Sequence, residues 1–157
     1  MKNITGKFFL DVQTRKIKTF EYSSMNNYYA FVQEKQQMGF VQSIVTTDIM
    51  ISIMEKYVLN NAQILSIEFM VEDPDLEDEI SMLLENMKRN AAQWTVLKQR
   101  LMFLSTDSSI DIRKIEVKSI EHSYIASIMV NGLITVTDTA YNKVTGELCH
   151  LLEGQIK

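Results

Sequence analysis

The chain has 157 residues, of which 46% are hydrophobic and 23% are charged, and its formal net charge is −4. These values are ordinary for a globular protein, and they exclude a disordered or fibrous chain. The mild negative charge offers no general attraction to phosphate backbones or anionic lipid, which disfavours a basic nucleic-acid-binding protein.

The cysteine content and the N-terminus indicate where the protein resides. Cys149 is the only cysteine, so the chain can form neither an internal disulfide nor its own thiolate metal cluster. The N-terminal apolar run, Phe8 to Leu10, is too short for a secretory signal, and no segment approaches the roughly 18 apolar residues of a membrane span. Because no linker-like stretch divides the chain, we expect one cytoplasmic domain over residues 1–157.

The N-terminal third predicts a hairpin followed by two helices. Phe8, Leu10 and Val12 alternate with other residues as in a strand with one buried face, and Lys16 to Tyr22 can return as a second strand. A first helix, capped by Ser23 or Ser24, ends at Gly39. A second helix, Asp48 to about Leu59, begins after a threonine pair, and its apolar residues on nearly every side indicate deep burial.

The most prominent pattern is a single amphipathic helix from Pro74 to Leu104. It follows a predicted strand, Ile64 to Val71, and Asp73 before Pro74 is a strong helix start. A helix of about 30 residues is far longer than the average of 11 or 12, so it needs a partner along its whole length. Its apolar row, which only Asn90 interrupts, consists of Ile80, Leu83, Met87, Trp94, Leu97, Leu101 and Leu104.

The last third predicts a three-stranded meander and a final helix. The hydrophobic period changes to two from Ile112, a second strand covers Tyr124 to Val130, and a third covers Leu133 to Thr137. Asn131-Gly132 predicts a type I′ hairpin turn between the last two strands. Asp138 or Thr139 can cap the final helix, which ends at Gly154.

The order of these elements predicts an α+β fold. We expect a two-layer domain with a mostly antiparallel sheet, built from the N-terminal hairpin and the C-terminal meander. Helices pack on this sheet, including the one long helix near residues 74–104.

The long helix also supplies the candidate interface. We expect its apolar row mainly to cover the protein's own sheet, and the same row could pair with a second copy. Antiparallel copies centred near residues 88–90 would place Glu77 and Glu79 opposite Arg100 and Lys98, with Asn90 fixing the alignment. The predicted interface residues are Ile80, Leu83, Met87, Asn90, Trp94, Leu97 and Leu101.

Other chemically suggestive residues have simpler explanations. The six carboxylates between Glu72 and Glu79 suit the positive end of a helix dipole and lack the spacing of a calcium loop. Cys149 and His150 are adjacent in a predicted helix and point about 100° apart, which does not favour a nucleophile–base pair. His122 could reach a carboxylate, but two histidines without a third partner specify no metal site. The sequence therefore predicts no catalytic, cofactor or metal site.

These observations lead to a hypothesis by elimination, since the sequence resembles no known family. We expect a non-catalytic protein-interaction module of the adaptor, chaperone, immunity-protein or inhibitor type, homodimeric through the long helix. One alternative is a small-molecule sensor or an enzyme with a pocket between the meander and the helices. The other is nucleic-acid binding through two basic strand edges, Arg15 to Lys18 and Arg113 to Lys118.

Overall fold

A computed structural model describes residues 2–155, which form seven strands and five α-helices. The strands are β1 (Asn3–Asp11), β2 (Ile17–Glu21), β3 (Phe40–Gln42), β4 (Gln63–Phe69), β5 (Ile112–Ser119), β6 (Tyr124–Met129) and β7 (Leu133–Thr137). The helices are α1 (Tyr28–Gln37), α2 (Thr47–Leu59), α3 (Pro74–Arg89), α4 (Trp94–Asp107) and α5 (Tyr141–Glu153). None of the helices among these residues is long and apolar enough to cross a bilayer.

All strand pairs are antiparallel, and the predicted α+β fold is confirmed. The sheet order is β2-β1-β7-β6-β5-β4, and β3 pairs with the far end of β1. The N-terminal hairpin and the C-terminal meander join where β1 pairs with β7, from Asn3 opposite Thr137 to Lys7 opposite Leu133. The meander therefore lies in the middle of one continuous sheet.

The two faces of β1 belong to two different hydrophobic clusters. Phe8 lies in the main core, which the sheet shares with α2, α3, α4 and α5. Phe9 points to the opposite face, as the period of a strand requires, and packs with Phe31 and Val32 of α1. Helix α1 therefore covers one corner of the second face.

The predicted helix starts are confirmed at two positions and corrected at two others. Thr46 caps α2 and Asp73 caps α3, where the Asp73 carboxylate accepts a hydrogen bond from the Leu76 N–H at 3.1 Å. Asn27, and neither Ser23 nor Ser24, caps α1, because the Ser23 hydroxyl and carbonyl accept hydrogen bonds within their own turn.

The start of α5 also differs from the prediction that Asp138 or Thr139 caps it. Residues Asp138–Ala140 form a 3-10 turn, and no side chain caps the helix. The Asp138 N–H bonds to the Lys2 carbonyl at 2.9 Å, which extends the β1–β7 ladder by one step beyond the strands. Because this pairing keeps the backbone of Asp138 in line with β7, α5 begins only at Tyr141.

The turn at Asn131-Gly132 lies where the sequence predicts it, but it is not type I′. Gly132 has a φ of +85°, whereas the φ of Asn131 is not positive, as a type I′ turn would require. The Gly132 N–H bonds to the Met129 carbonyl at 2.9 Å, so the loop has three residues and ends in a left-handed glycine. A Cβ atom on Gly132 would lie 2.4 Å from the Ser43 carbonyl oxygen, so this close approach requires glycine.

The single long helix predicted from Pro74 to Leu104 is wrong, because the segment breaks at Asn90. Asn90 has extended backbone angles, φ −149° and ψ 103°, and ends α3. Its side-chain oxygen accepts a hydrogen bond from the Ala92 N–H at 3.1 Å, which starts the short 3-10 turn Ala91–Gln93 before α4. Asparagine favours such caps because its side chain competes with helical backbone bonds.

Lys7 is an unusual member of the sheet because its side chain is completely buried. Its ammonium donates a hydrogen bond to the Asn131 carbonyl and lies 5.5 Å from the centre of the Tyr28 ring. No ion pair among residues 2–155 includes Lys7. Burial lowers the pKa of Lys7 from 10.5 to about 8.

Lys7 should make stability rise with pH above neutrality. Its folded pKa lies below its unfolded pKa, so the unfolded chain holds more protons between about pH 8 and pH 10.5, and raising the pH favours the folded state. We expect the free energy of unfolding to gain about 1 kcal/mol from pH 7 to pH 9 through this group. Urea denaturation of the protein and of Lys7→Met at both pH values measures the gain, and an equal change in the two proteins would contradict it.

Candidate functional site

The structure places most of the predicted interface row in the core of its own chain. Four members are buried against the sheet and α2, two are half-buried at the edge of the same core, and one is exposed in the connection between α3 and α4. The buried residues are Ile80, Trp94, Leu97 and Leu101, the half-buried ones are Leu83 and Met87, and the exposed one is Asn90. The row is therefore buried mainly within its own chain, where α3 packs on β4 and α4 packs on α2 and α3. Its buried members are not available to a second copy.

Helices α3 and α4 fold back on each other as an antiparallel pair, called here the α3–α4 hairpin (Pro74–Asp107). Arg100 closes it, donating from Nε and Nη2 to the two carboxylate oxygens of Glu79 at 2.6 and 3.0 Å. This bidentate hydrogen bonding raises the pKa of Arg100. The sequence suggested Glu77 of a second copy opposite Arg100, whereas Arg100 pairs with Glu79 of its own chain.

A second polar contact fixes α4 to α2. The Glu55 carboxylate accepts hydrogen bonds from the Lys98 ammonium at 2.8 Å and from the Trp94 indole at 3.3 Å. These hydrogen bonds, that from Lys98 first, lower the pKa of Glu55. Trp94 is thus a core residue whose single polar atom has a partner, as buried tryptophans usually require.

Helices α3 and α4 expose four large apolar side chains, those of Met82, Val96, Met102 and Phe103. Met82 is 66% exposed, Val96 46% and Phe103 49%. Met82 and Phe103 each follow a buried residue by two positions, about 200° around the helix, and Val96 lies two turns before Phe103. We call these three residues the outer ridge.

The charges of the hairpin are separated along its length. The first turns of α3 expose Asp75, Glu77 and Asp78, and its last turn exposes Lys88 and Arg89. Because α4 runs antiparallel to α3, its last residues return to the acidic end. The hairpin therefore has an acidic open end and a basic end at its turn. The acids also suit the dipole of α3, as predicted.

The remaining candidates stay separate from one another. The Cys149 thiol lies 3.1 Å from the Thr19 hydroxyl, and burial raises its pKa, whereas His150 is exposed. His122 lies 3.9 Å from the Glu121 carboxylate. Among residues 2–155, no three histidine, cysteine, aspartate or glutamate side chains are grouped as a metal ion would need.

The two basic segments do not converge. Strands β2 and β5 are four positions apart in the sheet, about 19 Å at the usual strand spacing. Strand β5 is not an edge strand as the sequence suggested, because β4 pairs with it, and Glu68 of β4 forms ion pairs with Arg113 and Lys114. The arrangement offers no continuous basic track for a nucleic acid.

Comparison with known proteins finds no matching family model, no matching curated protein and no matching solved structure.

Glu55 gives a test of how α4 is held. Glu55→Gln keeps an acceptor for Trp94 and removes the charge that attracts Lys98. Since the exposed fraction of the Glu55 side chain is 39%, we expect a loss of only about 0.5–1 kcal/mol in the free energy of unfolding at pH 7. The folded pKa is lowered, so this difference should vanish as the pH falls through it and Glu55 becomes protonated.

The matched control is Glu85→Gln, which removes the more exposed Glu85–Lys88 pair and should change stability less. Chemical denaturation of the three proteins in a series from pH 7 to the lowest pH at which they fold provides the measurement. An effect of Glu55→Gln that stays the same throughout the series would refute the assigned charge interaction.

Proposed function

We propose that this protein is a non-catalytic protein-interaction module that forms a homodimer through the outer ridge of the α3–α4 hairpin. The exposed ridge supports the proposal, because Met82, Val96 and Phe103 leave large apolar surfaces in water on the hairpin. Contiguous exposed apolar surface is the usual mark of a protein-binding site. Methionine and phenylalanine are also side chains that interfaces favour.

The charge pattern favours a second copy as the occupant of the ridge. If two hairpins cross as antiparallel copies about a two-fold axis, the acidic end of each meets the basic end of the other. Asp75 and Asp78 of one copy would then face Lys88 and Arg89 of its partner, twice in each dimer. Such a self-complementary surface is what a two-fold interface requires.

This dimer differs from the helix seam that the sequence suggested. Asn90 lies at the turn of the hairpin and cannot fix the centre of a long interface. The alignment would depend on the charged ends and on the Phe103 ring, which lies 5.8 Å from the Arg100 guanidinium. The dimer would serve as an adaptor, chaperone, immunity protein or inhibitor, and each of these roles requires binding a further protein.

Sedimentation equilibrium between 1 and 100 μM tests the dimer. We expect a concentration-dependent dimer, and we expect Phe103→Glu to weaken it by at least about tenfold, because a charge would be buried at the interface. Met25→Glu is the matched control, since Met25 is 93% exposed before α1 and should leave the dimer unchanged. A monomer at 100 μM, or equal effects of the two variants, would contradict the proposal.

Charge reversal tests the orientation of the two copies. The double variants Lys88→Glu/Arg89→Glu and Asp75→Lys/Asp78→Lys should each lose the homodimer, because like charges would meet at both ends. Mixing them should restore a heterodimer, which mass measurement of the complex detects. Two variants that each dimerise as well as the original protein would rule out the antiparallel arrangement.

A further inference from the structure

A polar cleft opens on another side of the molecule, between the end of α2, the β5–β6 turn and the exposed side of α5. Its volume is about 210 Å³. Clefts for drug-sized ligands usually measure about 300–1,000 Å³, so this one suits a smaller molecule. The sequence placed an alternative binding pocket between the meander and the helices, and the cleft lies in that position.

The floor of the cleft holds two tyrosines from different elements. Tyr57 of α2 and Tyr124 of β6 are 7% and 6% exposed, and their hydroxyl oxygens are 3.0 Å apart. Burial raises the pKa of both hydroxyls, so they remain protonated at neutral pH. The Tyr124 hydroxyl also hydrogen-bonds the Ser119 side chain. Two hydrogen bonds among these three hydroxyls use two of their three protons, so the group keeps one donor.

The wall on the β5–β6 turn is held in a constrained conformation. Ser123 has a φ of +54°, which is uncommon for serine. The backbone N–H of His122 donates to the Ser119 hydroxyl at 3.2 Å, across this turn. His122 lines the cleft beside it.

Lys143 of α5 faces the same imidazole across the rim. Its ammonium lies 3.4 Å from His122 Nε2. Neither Lys143 nor Lys56, which also lines the cleft, belongs to an ion pair among residues 2–155. Both ammonium groups are free of carboxylate partners.

Two carboxylates complete the lining, and they balance the two lysines in formal charge. Glu121 lies in the turn beside His122. Glu147 lies one turn after Lys143 on α5, and its negative charge raises the pKa of the Tyr57 and Tyr124 hydroxyls. Residues four apart on a helix have Cβ atoms about 5–6 Å apart. The cleft is thus neutral overall, with its positive and negative groups separated by a few ångströms.

We propose that this cleft binds a small zwitterion of the amino-acid class, with its carboxylate at Lys143 and its ammonium group at Glu147. A simple anion would gain from the lysines and lose against the glutamates, whereas a molecule with both charges is complementary to both. The donor left among the three hydroxyls can form a hydrogen bond to the carboxylate. This inference goes beyond the proposed dimer and is independent of it.

Binding can be measured with the intact protein and a panel of the twenty amino acids, by thermal shift at 5 mM and then by calorimetry. We expect one or a few amino acids to bind with a Kd that rises at least about tenfold in Lys143→Met and in Glu147→Gln. These side chains are exposed, so both variants should fold. His150→Ala is the control, because His150 is exposed on the same helix and does not line the cleft.

Two analogues of the amino acid that binds distinguish a zwitterion site from a simpler one. The amine without the carboxylate and the acid without the ammonium group should each bind at least about tenfold more weakly. Equal binding by the acid alone would show an anion site and overturn the proposal. So would the absence of binding by all twenty amino acids, or equal binding by the variants and the control.

Discussion

The break at Asn90 is the constraint on which the rest of the structure depends. A straight helix over residues 74–104 would be about 45 Å long, whereas a seven-residue strand spans only about 23 Å. If it lay along the strands, such a helix would extend well past the ends of the sheet. With the break, α3 and α4 both pack on one hydrophobic core, to which Ile80 of α3 and Leu101 of α4 belong.

Folding back also determines which surfaces remain for binding. Because the buried row is used within the chain, the large apolar side chains that the hairpin leaves exposed include Met82, Val96 and Phe103. The same fold brings the acidic start of α3 beside the end of α4 and leaves the basic residues at the turn. The cleft around Tyr57 and Tyr124 arises elsewhere, where α2 and α5 meet the meander.

The sequence predicted the elements whose signals are local. The two-residue period of the strands, the Asp73-Pro74 helix start and the position of the Asn131-Gly132 turn depend on neighbouring residues, and the structure contains all three. The apolar row on Ile80 and Trp94 also predicted burial within the chain.

The features that the sequence did not predict depend on distant residues. The apolar row keeps its helical spacing on both sides of Asn90, so periodicity alone did not indicate that the helix breaks there. An asparagine with capping ability was the one local signal. The cleft is lined by Tyr57, His122 and Lys143, which come from three different parts of the fold. The sequence pattern around one of them gives no information about the positions of the other two. The short strand β3 exists only through its pairing with β1.

The distance between the two arms of the hairpin tests this account most directly. Spin labels can be placed at Asp78 and Met102, both exposed, after Cys149→Ser removes the native thiol. If the segment folds back, the helix axes lie about 8–10 Å apart and the labels should be within about 20 Å of each other. A continuous helix would place these positions about 36 Å apart, and a measured distance near that value would contradict the account.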